Sequence, residues 1–295
     1  MDKQTARFLS ALNCRFYEEH ASSFSDTRNT PWSGWAHCLD AISYTGTSSS
    51  PLPYLSVLDL ACGNLRFEAF LTRMLPTTRF DFFAVDACDT LIPSTPAVNY
   101  QHLDVLSALL DGSCLHEQLV APACDLSVSF GFMHHVPCRT HREELLLSLI
   151  RKTRPGGHTI VSLWQFANNE NMRKKAQAAH SRALAELGQE KRRINHCIPS
   201  SDQFAPSLLV RTVRTVPTVP AVPTVPEDLP AHLEQNDFLL GWQNTPGAFR
   251  YCHSFSDVEV NQLAAVAEGS AHVVARFKAD GRTNDLNAYL VFKRL

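Results

Sequence analysis

Val57-Leu58-Asp59-Leu60-Ala61-Cys62-Gly63-Asn64 is the stretch that decides the fold of this chain. An apolar run, 55–60, ends there in a small-residue turn, and a segment with helical spacing, 65–75, follows. A second apolar run, 80–85, stops at the acid Asp86. The pattern predicts a β-loop-α-β unit with an acid at the tip of its second strand. Because small residues let backbone N–H groups approach a ligand and the acid can accept hydrogen bonds from ribose hydroxyls, the unit predicts a nucleoside site.

Strands and helices continue to alternate beyond Asp86. Helical spacing predicts helices over 105–120 and 142–152, and apolar runs predict strands over 98–103, 124–130 and 158–164. Near the end of the chain, a capping box predicts a helix from Ser256 to about Ala267, and 271–279 and 287–293 predict an antiparallel pair at the sheet edge. Right-handed βαβ crossovers at this spacing predict an α/β fold whose mostly parallel sheet has helices on both faces.

Two regions depart from this alternation of strands and helices. The N-terminal part predicts helices over 5–20 and 35–42, separated by a non-helical stretch, 24–32, because Pro31 and Gly34 disfavour a helix there. The segment 165–216 carries nine Lys and Arg against four acids, a net charge of +5 that leaves −7 for the rest of the chain. It is followed by a TVP-TVP-AVP-TVP repeat, 215–226, which favours an extended polyproline II linker. Four parts are predicted: a helical cap over the cleft (1–54), a cofactor-binding core (55–164), a basic insertion with its linker (165–226) and the C-terminal part of the core (227–295).

Composition narrows the class of protein. A net charge of −2 over 295 residues provides no overall field towards nucleic acid or membrane. The first 15 residues lack the apolar core of a signal peptide, and no run approaches the roughly 20 apolar residues that span a bilayer, so a cytoplasmic protein is expected. Nine scattered cysteines without a C-x-x-C pair predict buried thiols. His134, His135 and Cys138 form a tight cluster but lack a second ligand pair, so no metal is expected.

The loop after the first strand has one glycine, Gly63, where a dinucleotide-binding unit would have G-x-G-x-x-G. With the two terminal strands, the chain instead resembles the class I S-adenosylmethionine-dependent methyltransferases, whose Rossmann-like sheet has seven strands and an antiparallel last strand. Further matches are the stretch from Phe130 to Val136 and the turn Arg154-Pro155-Gly156-Gly157. The resemblance implies S-adenosylmethionine as cofactor, with the methionine end on the first loop, the ribose on Asp86 and the adenine edge at Asp104. The implied cofactor-binding residues are Asp59, Ala61, Gly63, Asn64, Asp86, Ala87, Asp104, Phe130 and Gly131.

One departure from that family concerns the loop itself. The family often has Gly-x-Gly-x-Gly, whereas this chain has Ala61 and Leu65 at the flanking positions. Ala61 is a small change. Leu65 either narrows the site or faces the sheet, and the sequence leaves both open.

Three segments resemble a narrower group, the tRNA wobble-uridine methyltransferases that esterify a carboxymethyl group on the base. They are the stretch from Tyr17 to Trp32, the Trp164-Gln165-Phe166 triplet, and the pair Gly241-Trp242-Gln243 and 250–255. A carboxylate is already a nucleophile at neutral pH, so the enzyme must mainly orient it, which a guanidinium can do bidentately. The resemblance therefore implies catalytic roles for Arg28, Arg250 and His253, and substrate contacts for Trp32, Tyr251, His135 and Trp164. It also implies tRNA as a partner and a small zinc-binding activator protein.

Alternatives stay open at this point. Arg28 can be part of a surface salt bridge, His253 a hydrogen-bonded structural histidine, and the basic insertion either a phosphate-binding surface or a solvated helix face. A methyltransferase for a small carboxylic acid or other metabolite, and a non-catalytic RNA-associated protein, are the two rival functions.

Overall fold

The computed structural model describes residues 1–27, 29–43, 53–92, 98–196, 224–243 and 245–295. Arg28 and residues 215–223 of the proline repeat lie outside these described residues, so their predicted roles stay predictions.

The described chain alternates helices and strands over most of its length. The helices are α1 (Lys3–Asp26), α2 (Ser33–Ala41), α3 (Arg66–Met74), α4 (Val105–Leu110), α5 (Leu115–Gln118), α6 (Arg139–Arg151), α7 (Glu170–His196), α8 (Leu229–His232) and α9 (Asp257–Val266). The strands are β1 (Tyr54–Leu60), β2 (Arg79–Asp86), β3 (Asn99–His102), β4 (Cys124–Ser129), β5 (Thr153–Trp164), β6 (Asp237–Gly241), β7 (Phe249–His253), β8 (Ala271–Ala279) and β9 (Asn287–Arg294).

Seven of these strands form one sheet in the order β3-β2-β1-β4-β5-β9-β8. Strands β1 to β5 pair in parallel, whereas β9 is antiparallel to both β5 and β8. The predicted seven-stranded, mostly parallel sheet with an antiparallel last strand is confirmed. Since side chains alternate along a strand, Leu58 and Leu60 face one side of the sheet and Leu55 and Val57 the other. Helices α4, α5, α6 and α9 cover the first side, and α2 and α3 cover the second, as predicted.

Helix α1 is longer than the sequence predicted, because it continues through Phe24 to Asp26. The ring of Phe24 lies 4.9 Å from that of Tyr17 and 5.6 Å from that of Trp242 between centroids. Local propensity does not report these contacts, which hold the last turns of the helix against a loop more than 200 residues away in sequence. The prediction of a non-helical stretch from Phe24 was therefore wrong at its start, and the second helix begins at Ser33, just after Pro31.

A second, two-stranded sheet was not predicted. Strands β6 and β7 pair antiparallel, and they pack against the long basic helix α7 and against α1. Helix α7 buries Ala183 and Leu187 in this contact. On its outer side it exposes the basic side chains of Arg173, Lys174, Lys175 and Arg182.

Two smaller differences concern the core. The predicted helix over 105–120 is split into α4 and α5 around Gly112, whose φ of +75° a helix interior does not accept. The turn 154–157 lies within β5, where the register with β4 shifts between Cys124 and Leu126. Both irregularities leave the sheet order unchanged.

Candidate active site

A cavity of about 1600 Å³ opens at the carboxyl ends of the parallel strands. Its walls come from the loops after β1, β2, β3 and β4, from the end of β5, from α1, and from the loops between β6 and β7 and between β8 and β9. In open α/β sheets ligands bind at this edge, where the strand order reverses between β1 and β4. The cavity is lined by all nine predicted cofactor-binding residues: Asp59, Ala61, Gly63, Asn64, Asp86, Ala87, Asp104, Phe130 and Gly131.

The loop after β1 has three left-handed backbone conformations, which favour glycine, although only one of the three residues is a glycine. Ala61, Gly63 and Leu65 have φ of +63°, +56° and +58°, and the N–H groups of Ala61 and Cys62 both donate to the carbonyl of Val85. Leu65 is buried against Cys62 and Ala84 and does not line the cavity. Of the two alternatives for Leu65, the structure therefore shows the one in which it faces away from the site.

Asp86 joins two loops at the tip of β2. Its Oδ2 accepts from the N–H of Gly63 and its Oδ1 from the N–H of Cys88, both at 2.9 Å. Burial raises the pKa of this carboxyl above its usual range, and the backbone donors oppose that shift. A carboxylate oxygen has more than one lone pair, so Asp86 can still accept hydrogen bonds from a pair of hydroxyls in the cavity.

Gly131 and Trp32 approach each other closely at the far wall. Gly131 has a φ of +70°, and a Cβ at this position would lie 2.8 Å from Cη2 of Trp32. The Trp32 ring in turn stacks on Trp35, and the guanidinium of Arg66 lies 5.7 Å from its centroid. The backbone of a glycine is thus what allows the indole to line the cavity.

Two buried carboxyl groups lie beneath the glycine loop. Burial and the nearby charge of Glu68 raise the pKa of Asp59 well above its usual value, and burial raises the pKa of Glu68 to about 7. Both oxygens of Glu68 are inaccessible and accept from no N–H or O–H of the described residues. Burial therefore favours the protonated form of both carboxyls. Sequence reasoning singled out Asp59 and missed Glu68.

Arg250 sits in a cage of aromatic rings on the opposite side of the cavity. Its guanidinium carbon lies 5.0, 5.3 and 5.6 Å from the ring centroids of Phe16, Trp242 and Phe24. The side chain lines the cavity although the residue is only 7% exposed. Its Nε and Nη1 are buried and have no hydrogen-bond partner among the described residues. A buried cation with unsatisfied donors is costly, and an anionic ligand would remove that cost.

The remaining predicted substrate residues divide into two groups. Trp32, His135 and Trp164 line the cavity. Tyr251 and His253 do not: both are fully buried, the hydroxyl of Tyr251 donates to Asp237 at 2.8 Å, and His253 lies between Asp237 and Glu259 at 2.7 and 2.8 Å. Tyr251 was expected to contact substrate and His253 to be catalytic, but hydrogen bonds and packing hold both rings in the interior, away from the cavity. The structural alternative for His253 is the one the geometry favours.

Potential metal ligands meet at two places in the described part of the chain. His134, His135 and Cys252 form one group and Glu234, Asp237 and His253 the other, with ligand atoms in each within 4.8 Å. In the second group Arg142 is paired with Glu234, so a cation already occupies the acidic side. Cys138, which the sequence placed with the two histidines, belongs to neither group.

Similar proteins were found by sequence and by structure. The chain is 25% identical over 174 residues to the tRNA (carboxymethyluridine(34)-5-O)-methyltransferase ALKBH8 of Macaca fascicularis, which covers 59% of this chain and 23% of that protein. It is 29% identical over 165 residues to a putative methyltransferase of Encephalitozoon cuniculi, covering 56% of this chain and 67% of the relative. The chain thus spans about a quarter of the first relative's length. No protein-family profile matches it.

Among solved structures, a SAM-dependent methyltransferase of Methanosarcina mazei superposes with a TM-score of 0.50 at 13% identity, covering 86% of this chain and 95% of the other. The chain has the class I methyltransferase fold. In this methyltransferase fold the cavity lies where the resemblance placed the cofactor. None of its described helices is both long and apolar enough to cross a bilayer.

Several cavity residues were missed by sequence reasoning because they lie on α1. Asn13, Tyr17 and Phe24 follow one another at helical spacing on the face that lines the cavity. The sequence does carry a signal for them, because the helical spacing of these residues continues past His20. Ending the predicted helix there removed Phe24 from the pattern.

Proposed function

We propose that this chain transfers a methyl group from S-adenosylmethionine to a carboxylate, and that the carboxylate is the carboxymethyl group of a tRNA wobble uridine. The fold and the relatives support the cofactor class, and the name of the Macaca relative supports the acceptor. The buried guanidinium of Arg250 is the observation that carries the carboxylate assignment.

The residues of the first loop fit the proposed cofactor. Asp86 offers carboxylate oxygens to ribose hydroxyls, and Asp104, which caps α4 through Ser107, lines the wall beyond it. Asp59 lines the proposed methionine side, where its carboxyl can accept a hydrogen bond from an ammonium group. When bound, the cofactor supplies a sulfonium methyl group that is open to attack by an oxygen nucleophile.

The protein contributes to this reaction mainly by orienting the acceptor carboxylate. A carboxylate is ionised at neutral pH, so no side chain has to remove a proton before methyl transfer. The guanidinium of Arg250 holds the acceptor, and the rings of Phe16, Phe24 and Trp242 hold the guanidinium in place. Placing the oxygen near the methyl group at the start of the reaction supplies the larger part of the rate enhancement.

A polyanionic substrate is supported by the outer side of α7. Arg173, Lys175 and Arg182 are exposed there, and Lys174 is paired with Glu170 on the same helix. Lys and Arg on one exposed surface bind phosphates with little regard to sequence. The small zinc-binding activator protein belongs to the proposal through the resemblance alone, and turnover by the chain purified by itself would remove it.

The decisive experiment compares acceptors under one condition. Purified protein is incubated with S-adenosylmethionine and either tRNA carrying 5-carboxymethyluridine or free 5-carboxymethyluridine, and the nucleosides are analysed by mass spectrometry. The methyl ester should form in tRNA much faster than in the nucleoside. Equal rates would favour the small-carboxylate alternative, and absence of cofactor binding in calorimetry would favour the non-catalytic one.

Variants of Arg250 test the residue that carries the assignment. Arg250→Lys keeps the charge but loses the planar pair of donors, and Arg250→Met keeps the volume alone. Both should lower kcat/KM by about 100-fold or more, the loss expected when a charged, buried contact is removed. Arg151→Lys, an exposed residue paired with Glu144, is the matched control and should retain wild-type activity.

A further inference from the structure

Tyr17 and His135 meet inside the cavity, and neither the glycine loop nor Arg250 accounts for them. The hydroxyl of Tyr17 lies 2.8 Å from Nε2 of His135, and both side chains line the cavity. The histidine is 3% exposed, so its surroundings determine the positions of its hydrogens.

A backbone carbonyl assigns the tautomer of His135. Nδ1 lies 2.9 Å from the carbonyl oxygen of Tyr251, which can only accept, so Nδ1 carries the hydrogen. The opposite tautomer would turn a lone pair of Nδ1 towards that oxygen. It would gain the 3.2 Å contact with Nδ2 of Asn13, which already donates to the same carbonyl, and a 3.8 Å contact with the weak S–H donor of Cys252, and neither replaces the bond to the carbonyl.

Asn13 holds that carbonyl in place. Its Oδ1 accepts from the N–H of Tyr251 at 2.7 Å while its Nδ2 donates to the Tyr251 oxygen at 3.2 Å. The amide therefore binds both backbone polar groups of Tyr251 and fixes the two peptide units that flank it. Because Asn13 is 2% exposed, solvent does not compete for these bonds.

The tautomer of His135 determines the direction of its hydrogen bond with the Tyr17 hydroxyl. With Nδ1 protonated, Nε2 of a neutral ring is an acceptor, and the single hydroxyl proton of Tyr17 points to it. Towards a ligand, the Tyr17 oxygen can then act only as an acceptor. The structure thus offers two different recognition elements in one pocket, a guanidinium for an anion and a phenol oxygen for an N–H or O–H donor.

The Tyr17 phenol and the Arg250 guanidinium both contact the ring of Phe24. The Tyr17 ring meets that of Phe24 edge-on at 4.9 Å, and the Arg250 guanidinium lies 5.6 Å from the Phe24 centroid. A uracil ring with a carboxymethyl group on C5 carries one group for each element, a carboxylate for the guanidinium and an imide N3–H for the phenol oxygen. We propose that Tyr17 is a specificity-determining residue that accepts a hydrogen bond from the imide N–H of a uracil ring, with His135 and Asn13 as positioning residues; this inference rests on the proposed function.

The proposal predicts discrimination between two bases. Cytosine carries a lone pair at N3 instead of an N–H, so it would face the Tyr17 oxygen with a second acceptor. Leaving polar groups of a pocket without partners is the strongest means by which an enzyme rejects an analogue. A cytidine with the same carboxymethyl group should therefore be a poor substrate although Arg250 can hold its carboxylate.

The test uses one RNA stem-loop with either 5-carboxymethyluridine or 5-carboxymethylcytidine in the loop. Wild type should bind the uridine stem-loop, and methylate it, at least about tenfold better than the cytidine one. Tyr17→Phe keeps the ring contacts with Phe16 and Phe24 but removes the acceptor, and this preference should fall close to unity. Tyr54→Phe, at an exposed tyrosine outside the cavity, is the matched control and should keep the preference. A preference that survives in Tyr17→Phe overturns the proposal.

Nitrogen-15 spectra of histidine-labelled protein separate this proposal from the proposed function. His135 should show a protonated Nδ1 and an unprotonated Nε2, and Asn13→Leu should shift both signals. A protonated Nε2 would make Tyr17 a donor to the ligand and overturn the inference whatever the substrate is. If neither stem-loop is methylated but the uridine one binds tenfold better, the proposed reaction fails and the role of Tyr17 stands.

Discussion

Asp86 accepts a hydrogen bond from the backbone N–H of Gly63 at 2.9 Å, so the acid that ends β2 also fixes the loop that follows β1. The same carboxylate accepts from the N–H of Cys88. One side chain therefore both shapes the proposed cofactor site and contributes to it, and mutations there should affect stability and binding together.

Asp86→Asn should show this double effect. The amide can accept from only one of the two N–H groups and turns its own donors towards the other, which leaves a buried donor without a partner. We expect a loss of about 1–3 kcal/mol in the free energy of unfolding, measured in urea. Affinity for S-adenosylmethionine in calorimetry should fall by more than about tenfold. Glu117→Gln, an exposed acid on α5, is the control. Unchanged affinity in Asp86→Asn would contradict the assignment of the ribose to this carboxylate.

Replacement by glycine should change the free energy of unfolding in opposite directions at Ala61 and Leu65. Both have left-handed backbones, which cost an L-residue about 1–2 kcal/mol, against the roughly 0.5–1 kcal/mol of extra chain entropy that a glycine loses on folding. Ala61→Gly should therefore stabilise the protein by a few tenths to about 1 kcal/mol. Leu65→Gly also removes a buried side chain and should destabilise it by about 2 kcal/mol or more. Chemical denaturation measures both, and destabilisation by Ala61→Gly would contradict the backbone geometry.

Gly131→Ala should displace Trp32. The new methyl group would lie 2.8 Å from the indole, and its φ of +70° adds backbone strain. We expect a loss of about 1–3 kcal/mol in unfolding free energy and a change in tryptophan fluorescence, since the ring must move. Gly188→Ala is the matched control: it lies inside α7, a Cβ there meets nothing within 4 Å, and it should stabilise by about 0.5–1 kcal/mol. Equal stability of the two variants would show that the indole does not need the glycine.

The histidine between two acids should make stability depend on pH. Burial and the charge of Arg142 act to lower the pKa of His253, but hydrogen bonds to Asp237 and Glu259 raise it above its usual value. Because the folded state binds this proton more tightly, the contribution is complete below about pH 6.5 and is lost as pH rises through the raised pKa. Hydrogen bonds with His253 and Ser256 lower the pKa of Glu259 to about 2 despite burial, so its contribution is present above about pH 4.5 and disappears on acidification towards pH 2.

The variant His253→Gln isolates the first effect. At pH 6 it should unfold more easily than wild type by about 3 kcal/mol or more, because the two carboxylates lose their cation. The difference between the proteins in urea should shrink as the pH is raised to 9. A difference that is constant between pH 6 and 9 would show that the ring does not change its protonation state in this range. Catalytic loss greater than the loss of folded protein would restore a direct role for His253.

The basic face of α7 can be tested by salt dependence. Replacing Arg173, Lys175 and Arg182 together by alanine should weaken tRNA binding and reduce the slope of log affinity against log salt by about 2–3 if each residue contacts one phosphate. Methylation of a free carboxylic acid, if any occurs, should not change. Arg276→Ala on β8 provides a control at another exposed arginine. An unchanged slope would assign the face of α7 to solvent.

The proposed cofactor-binding half of the site could be predicted from the sequence, because it depends on local patterns. The residues at the ends of β1 and β2 were predicted because strand and helix periods locate the loops, and the carboxyl ends of neighbouring parallel strands must meet. The acceptor half depends on contacts between distant segments. Nothing near His253 in sequence indicates that Asp237 binds it, and a short aromatic run such as Phe249–His253 does not show whether its side chains face a cavity or the interior. Phe24, Trp242 and Arg250 form a cage only after α1 and the second sheet have packed.

Strand β9 lies between β5 and β8, and this position has a consequence for assembly of the domain. Although β8 precedes β9 in the chain, it has no place beside β5 until β9 has entered the gap. The order of synthesis and the order of docking are therefore reversed at this edge, and a nascent chain ending at β8 would expose the unpaired backbone N–H and C=O groups of β5. Ribosome-bound fragments that end before Asn287 should accordingly recruit chaperones, and release of the last strand should be the step that frees them.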